Sequence, residues 1–341
     1  MGFGVGIEVT RKCNFKCKHC FVSAGKPHQN EMDTAEIKQL VRDLGTCGAT
    51  TVAWSGGEPL LRKDLEDITA FARDIDLTPN LVTNGYLASR ERLQALKDAG
   101  LKTIQISLDG PSQAAADRLR KGPREVYSRA VEALRNSVEV GLTTWVCCLF
   151  SPDTASELLE MVEFAVKINA RGLRYTMWAP VGRAAGETYR EEAWGSASVR
   201  EFFDNVAQIK AAGYPVLIDC PTGPYPGHEQ FRCAAGHGSS YITAVGDVYP
   251  CTALMFDDYR VGNTRTQPIR EILFGEKMLK IQRELAASTP GGSCAGCVHL
   301  ERCRGGCPGR TVAAFGRVRG GENEGALPAC MYRLHGADGA E

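Results

Sequence analysis

Between residues 6 and 211 the chain repeats one pattern: a short apolar run, then an amphipathic helical stretch. Strand-like runs fall at Gly6–Thr10, Thr51–Ser55, Leu81–Thr83, Thr103–Leu108, Thr143–Phe150 and Leu173–Trp178. Helical stretches follow at Thr34–Leu44, Asp64–Asp74, Ser89–Ala99, Val126–Glu139, Ala155–Ile168 and Val199–Ala211. Gly100, Gly141 and Gly213 stand where helices stop, and Asp33 with Glu36 reads as a capping box at the first one. Six such units imply a parallel sheet with helices outside it. They are too few for a closed eight-stranded barrel. The expected class is α/β, and an open, partial barrel with ligands at the carboxyl ends of its strands is one arrangement the six units allow.

After Pro215 the pattern changes. Tyr241–Val245 and Val248–Cys251 flank Gly246 and Asp247, a plausible hairpin, and one helix is expected over Ile269–Leu285. Glycine, cysteine and arginine then dominate, and the segment is too poor in apolar pattern to build a large core. The expected domains are the barrel over 1–214 and a small cysteine-rich domain over 215–341.

The chain has 14 cysteines, too many for a chance thiol set in a reducing compartment, where disulfides are rare and metal ligation is the better account. Three lie at 13–20 and seven between 233 and 330, while Cys47, Cys147, Cys148 and Cys220 stand apart. Formal net charge is zero, which gives no drive toward nucleic acid or an anionic membrane. No apolar run reaches the ~18 residues of a transmembrane helix, and no signal-peptide pattern precedes the first strand. The expected location is the cytoplasm.

The stretch KCNFKCKHCF (12–21) follows the first strand and holds Cys13, Cys17 and Cys20. Three thiolates on a short loop can hold three irons of a four-iron cluster and leave the fourth open. The other reading is a zinc loop completed by His19 or His28. WSGGEP (54–59) ends the second strand. Gly56 and Gly57 would let a ligand approach the backbone, and Glu58 could accept from an ammonium group; alone, the motif would be an ordinary turn.

Together the two motifs resemble the radical S-adenosylmethionine (SAM) enzymes, defined by a CxxxCxxC loop after the first strand of a partial (β/α)6 barrel and a GGE segment after the second. The resemblance covers roughly residues 5–210. It implies that SAM chelates the open iron and that the GGE segment contacts its amino group. It places Asn84 near the ribose or methionine moiety, Ser107 and Asp109 at polar positions after the fourth strand, and Arg120 at the SAM carboxylate. It places Met177 and Trp178 at backbone contacts to adenine, with His19 nearby. The implied chemistry is reductive cleavage of SAM to a 5′-deoxyadenosyl radical that takes hydrogen from a substrate carbon.

The C-terminal cysteines resemble the SPASM extension of these enzymes. The likeness implies one auxiliary [4Fe–4S] cluster on Cys294, Cys297, Cys303 and Cys330 and another on Cys233, Cys251 and Cys307, three clusters in all. The inner set has three ligands where four are usual, and Cys220 is the nearest spare; otherwise an iron is open. Two clusters would staple a tail with little core.

Cys147 and Cys148 are adjacent on one strand, so one should face the barrel interior. Either is a candidate hydrogen-atom donor to a substrate radical or a small apolar filler. Cys47 reads as structural, and Arg183 as a substrate-carboxylate ligand or a strand-end cap. The resemblance implies an oxidoreductase or maturase, first of a ribosomally made peptide. The first strand begins almost at Met1, so any peptide-recognition protein would be separate. The alternative substrate is a small molecule such as an aminoglycoside sugar, dehydrogenated or epimerised. A cluster-bearing sensor is a third class, against which the intact SAM motifs speak. The electron donor would be a flavodoxin or ferredoxin.

Overall fold

The computed structural model describes residues 2–186, 197–219, 233–287, 294–316, 318 and 330. Strands β1 (Phe3–Thr10), β2 (Ala49–Gly56), β3 (Thr78–Thr83), β4 (Thr103–Ser107), β5 (Thr143–Phe150), β6 (Gly172–Met177) and β7 (Val216–Asp219) pair in chain order, all parallel. On the other side of β1 lies β8 (Ser239–Ile242), also parallel, then β9 (Asp247–Tyr249) and β10 (Gly262–Asn263), both antiparallel. The sheet order is β10-β9-β8-β1-β2-β3-β4-β5-β6-β7.

All six expected strands are present in an open, partial barrel, and the parallel run extends further, by β7 at one end and β8 at the other. The free edge of β8 is taken by β9, which folds back on it, so β7 and β8 do not meet. The hairpin expected around Gly246 is that β8–β9 pair, with Tyr241 opposite Tyr249. One sheet thus contains strands from both sides of residue 214.

The helices between strands are α1 (Thr34–Thr46), α2 (Leu65–Asp74), α3 (Arg90–Asp98), α4 (Gln113–Leu119), α5 (Val126–Glu139), α6 (Leu158–Lys167) and α7 (Ala197–Ala211). They are helical for local reasons. Asp33 and Glu36 close a reciprocal capping box on α1, and Ser89 and Ser112 cap α3 and α4. α1 then buries Ile37, Leu40, Val41 and Leu44, one stripe at helical spacing. Each such side chain contributes about 1.5–3 kcal/mol on leaving water. Against β5 and β6, Phe202 and Phe203 of α7 stack with Phe150 and Tyr175 at centroid distances of 4.2–5.2 Å. The single helix expected over 269–285 breaks at Gly275 into α8 (Ile269–Phe274) and α9 (Glu276–Ala287). After it come α10 (Leu300–Cys303) and α11 (Pro308–Phe315).

The strands alternate in the way that sorts core from site. On β4, Ile104 and Ile106 enter the core while Gln105 and Ser107 face a cavity at the sheet's other face. No helix among the described residues is long and apolar enough to cross a membrane.

Candidate active site

Cys13, Cys17 and Cys20 sit on the loop leaving β1, and all three line one cavity of about 310 Å³. The loop is fastened at several points. Phe15 is buried against Ala116 and Val126, with Tyr86 edge-on at 5.9 Å between ring centroids. Lys16 and Lys18 donate backbone N–H groups to the carbonyls of Lys121 and Leu119 at the end of α4. The N–H of Cys13 reaches Gly25 O at 2.9 Å and closes the loop. Arg183 donates to Ala24 O at 2.6 Å and its N–H to Cys20 O at 3.0 Å, so it braces the loop.

Two glycines allow this packing. Gly57 donates to Thr10 O, and a Cβ there would stand 2.2 Å from Lys12 O. Gly182, at φ +59°, lies so close to the carbonyls of Cys20 and Phe21 that a side chain would collide with both. The backbone that Gly57 approaches is therefore the start of the cysteine loop, and Gly56 packs on the end of β1; both glycines also line the cavity.

Glu58 is wholly buried behind that wall. Its Oε1 accepts from Thr83 Oγ1 at 2.7 Å and Leu60 N at 3.0 Å, and its Oε2 from Asn84 N at 2.8 Å. Burial raises its pKa and these three bonds only partly offset that. Glu58 thus ties β2 to β3, and the glycines rather than its carboxylate face the cavity. Asn84 does line it, while its side chain bridges Asn14 Oδ1 at 2.9 Å and Tyr86 N at 2.9 Å.

A second buried knot lies beside Cys17. Asp109 accepts from Leu149 N at 2.7 Å and pairs with Arg120 Nε at 2.7 Å; Arg120 Nη1 stands 3.9 Å from Cys17 Sγ. Burial is the largest influence on Asp109 and raises its pKa, but Arg120, together with His19 and the Leu149 N–H, holds the carboxyl below its ordinary range. His19 Nε2 is 3.7 Å from Asp109, yet burial lowers the imidazole to about 4, so the ring is neutral at neutral pH. His19, Ser107 and Arg120 line the cavity; Asp109, Met177 and Trp178 are not among its lining residues. Met177 belongs to the core.

The thiols fit an iron–sulfur cluster. Cys13 Sγ accepts from Phe15 N and Cys20 Sγ from Ala24 N, each at 3.3 Å. Burial pushes the Cys13 thiol up to about 11, so it stays protonated until a metal displaces the proton. Among the described residues no three Cys, His, Asp or Glu side chains are spaced to hold a single metal ion. His19 turns to Asp109, and His28 is exposed, with its backbone N–H on Glu31. Neither completes a zinc site with the loop.

In the C-terminal segment, Cys251 lies within electrostatic reach of Cys307 and Cys233. Its Sγ accepts from Ala253 N at 3.3 Å, and its neighbour Thr252 lines the same cavity as the loop cysteines. Cys294, Cys297 and Cys303 follow one another through two turns into α10. Cys294 and Cys303 are buried and Cys330 is partly buried. Cys220 lies outside the described residues.

Sequence reading missed one wall. Gln105, Arg174 and Asp219, on β4, β6 and β7, line the cavity together with Cys147. A charged residue inside the apolar run LRYTM was the available signal for Arg174.

Two family models match the chain: the radical SAM superfamily over residues 7–165 and an iron–sulfur cluster-binding domain, SPASM, over residues 233–298. The AdoMet-dependent heme synthase of Nitratidesulfovibrio vulgaris is 28% identical, over 96% of this chain and 92% of the relative. The PqqA peptide cyclase of Xanthomonas euvesicatoria is 29% identical, over 91% of this chain and 84% of the relative. Among solved structures, Streptococcus suis SuiB bound to its precursor peptide SuiA superposes with a TM-score of 0.74 at 16% identity, covering 97% of this chain and 76% of that one.

Proposed function

From the premise that the chain is a radical SAM enzyme with a C-terminal SPASM domain, we propose that it modifies a ribosomally made peptide in natural-product or cofactor biosynthesis. Three loop thiols, the Gly56–Gly57 backbone and polar strand ends converge on one cavity, and that convergence carries the reading. Cys13, Cys17 and Cys20 would hold a [4Fe–4S] cluster that SAM completes. When bound, cluster and SAM supply reductive cleavage of SAM and abstraction of hydrogen from a substrate carbon.

The chain's own residues do the rest. Asn84 and Ser107 offer hydrogen-bonding groups at the cavity wall, and Arg120, kept charged by Asp109, stands beside Cys17 for the SAM carboxylate. The neutral His19 ring packs 6.4 Å from Trp178 and gives the cavity an apolar flank suited to adenine. Met177, one residue beyond Thr176 of the wall, would act through its backbone. Cys233, Cys251 and Cys307, with Cys220 as fourth ligand, would hold an inner auxiliary [4Fe–4S] cluster. Cys294, Cys297, Cys303 and Cys330 would hold an outer one. A flavodoxin- or ferredoxin-class donor would supply electrons, and a separate protein could present the peptide.

The peptide is favoured by similarity to the PqqA peptide cyclase over most of both chains. A small-molecule substrate is the second reading, favoured by similarity to the heme synthase. The two separate in one experiment. Source cells are grown in deuterated medium and the lysate is split by size. Each fraction is incubated anaerobically with unlabelled SAM, reductant and reconstituted protein. Deuterium in 5′-deoxyadenosine from the peptide fraction alone is expected. Label from the small-molecule fraction alone would overturn the peptide assignment.

A further inference from the structure

Cys147 and Cys148 face opposite ways. Cys148 packs in the core on the side of Tyr175, whereas Cys147 Sγ is 3.5 Å from Gln105 Oε1, in the cavity already described. The same oxygen is 3.4 Å from Arg174 Nη1. Arg174 in turn grips Asp219 through Nε and Nη2. Four side chains from β4, β5, β6 and β7, neighbouring strands, thus form one chain: Asp219, Arg174, Gln105, Cys147.

The order of this chain fixes a proton. Arginine only donates, so Gln105 must turn its oxygen toward Arg174. The same oxygen then faces Cys147, and the thiol must be the donor. The environment agrees. Burial pushes the thiol up to about 12; Arg174 works against this, Asp219 with it. Cys147 therefore carries S–H at neutral pH, in contrast to the loop thiols that a metal would deprotonate. Among the described residues two thiols outside the cysteine sets assigned to metal line the cavity, Cys147 and Cys148; Cys147 is the one hydrogen-bonded to the polar wall, whereas Cys148 is packed in the core.

We propose that Cys147 is a catalytic hydrogen-atom donor to a carbon-centred substrate radical, with Gln105, Arg174 and Asp219 as its positioning residues. The proposal rests on the radical reading above and specifies its outcome: the hydrogen removed from the substrate carbon is replaced, so that carbon undergoes no net oxidation. In the step, the S–H bond breaks homolytically, a C–H bond forms, and an unpaired electron remains on the Cys147 sulfur. One electron from a flavodoxin- or ferredoxin-class reductant and one proton from water restore the thiol. Inversion of a stereocentre is the simplest reaction of this class.

The test follows solvent hydrogen into the substrate. Cluster-loaded protein is incubated anaerobically with SAM, dithionite and the peptide fraction of the source lysate in D2O, where the Cys147 thiol exchanges to S–D, and the peptides and the 5′-deoxyadenosine are weighed. Wild type is expected to give a peptide heavier by one carbon-bound deuterium, and Cys147→Ala to form 5′-deoxyadenosine without that peptide label. Equal peptide labelling in Cys147→Ala, or unlabelled peptide from wild type while 5′-deoxyadenosine forms, overturns the donor while leaving the radical reading standing. No 5′-deoxyadenosine at all overturns the radical reading itself. A second measurement covers a variant that fails to fold and reads the positioning residues: the pH profile of N-ethylmaleimide labelling of Cys147, followed by peptide mass spectrometry. Asp219→Asn is expected to shift it to lower pH, with labelling near pH 8 roughly tenfold faster for a one-unit shift. An unchanged profile, or Cys148 labelling as fast as Cys147, contradicts the arrangement.

Discussion

Arg62 donates to the carbonyls of Val9 and Met32 and holds Asp64 with its other edge, at 2.9 and 2.6 Å. Thr34 at the start of α1 donates to the same carboxylate. Burial would raise the Asp64 pKa, but Arg62 and Thr34 outweigh it and hold it at about 2, below its ordinary 3.8. A depressed carboxylate stabilises the fold above its unfolded pKa and loses that contribution as pH falls through the folded one. The window runs from about pH 4 down to about pH 2. Asp64→Asn should therefore cost about 1–2 kcal/mol at pH 7, after discounting for partial exposure, and about half as much at pH 3. Urea-unfolding midpoints at the two pH values check this; an equal deficit at both would contradict it. Local pairs such as Asp33 with Glu36 were legible in sequence because three residues separate them. The pairs of Arg174 with Asp219 and Asp109 with Arg120 were not, because only folding brings those strands and loops together.

Helix α4 shows what a short element can hide. It has seven residues, too few for a periodic signal, and went unread between β4 and α5. Yet its end accepts two backbone hydrogen bonds from the cysteine loop, its Ala116 receives Phe15, and Arg120 is its C-cap. Strand β7, four residues long, escaped for the same reason, and it carries Asp219. The pairing of β8 with β1 was invisible for another reason: two strands more than two hundred residues apart carry no local mark of being neighbours. Because Phe15 anchors the loop on α4, Phe15→Ala should remove about 3–5 kcal/mol from that anchor. The expected outcome is loss of iron from the N-terminal site with iron on the C-terminal cysteines retained. Iron per chain, measured after anaerobic reconstitution, checks it; full iron content in the variant would count against α4 as the loop's support.

At the scale of the whole molecule, two thiol sets are carried by two kinds of structure. Cys13, Cys17 and Cys20 leave a strand of a sheet whose core runs from Val5 to Val216 and beyond. The C-terminal cysteines lie among short turns and brief helices. The order of units and the cysteine spacing were legible because both are written in consecutive residues. The extension of the sheet past β1 by β8 and the polar wall inside it depend on long-range pairing. The direct measurement is SAM cleavage by the anaerobically reconstituted wild type and by Cys13→Ala, with bound iron counted in each. Wild type should form 5′-deoxyadenosine, and the variant should form none while keeping the iron of its C-terminal cysteines. A Cys13→Ala protein that cleaves SAM at the wild-type rate would contradict the assignment of this cavity.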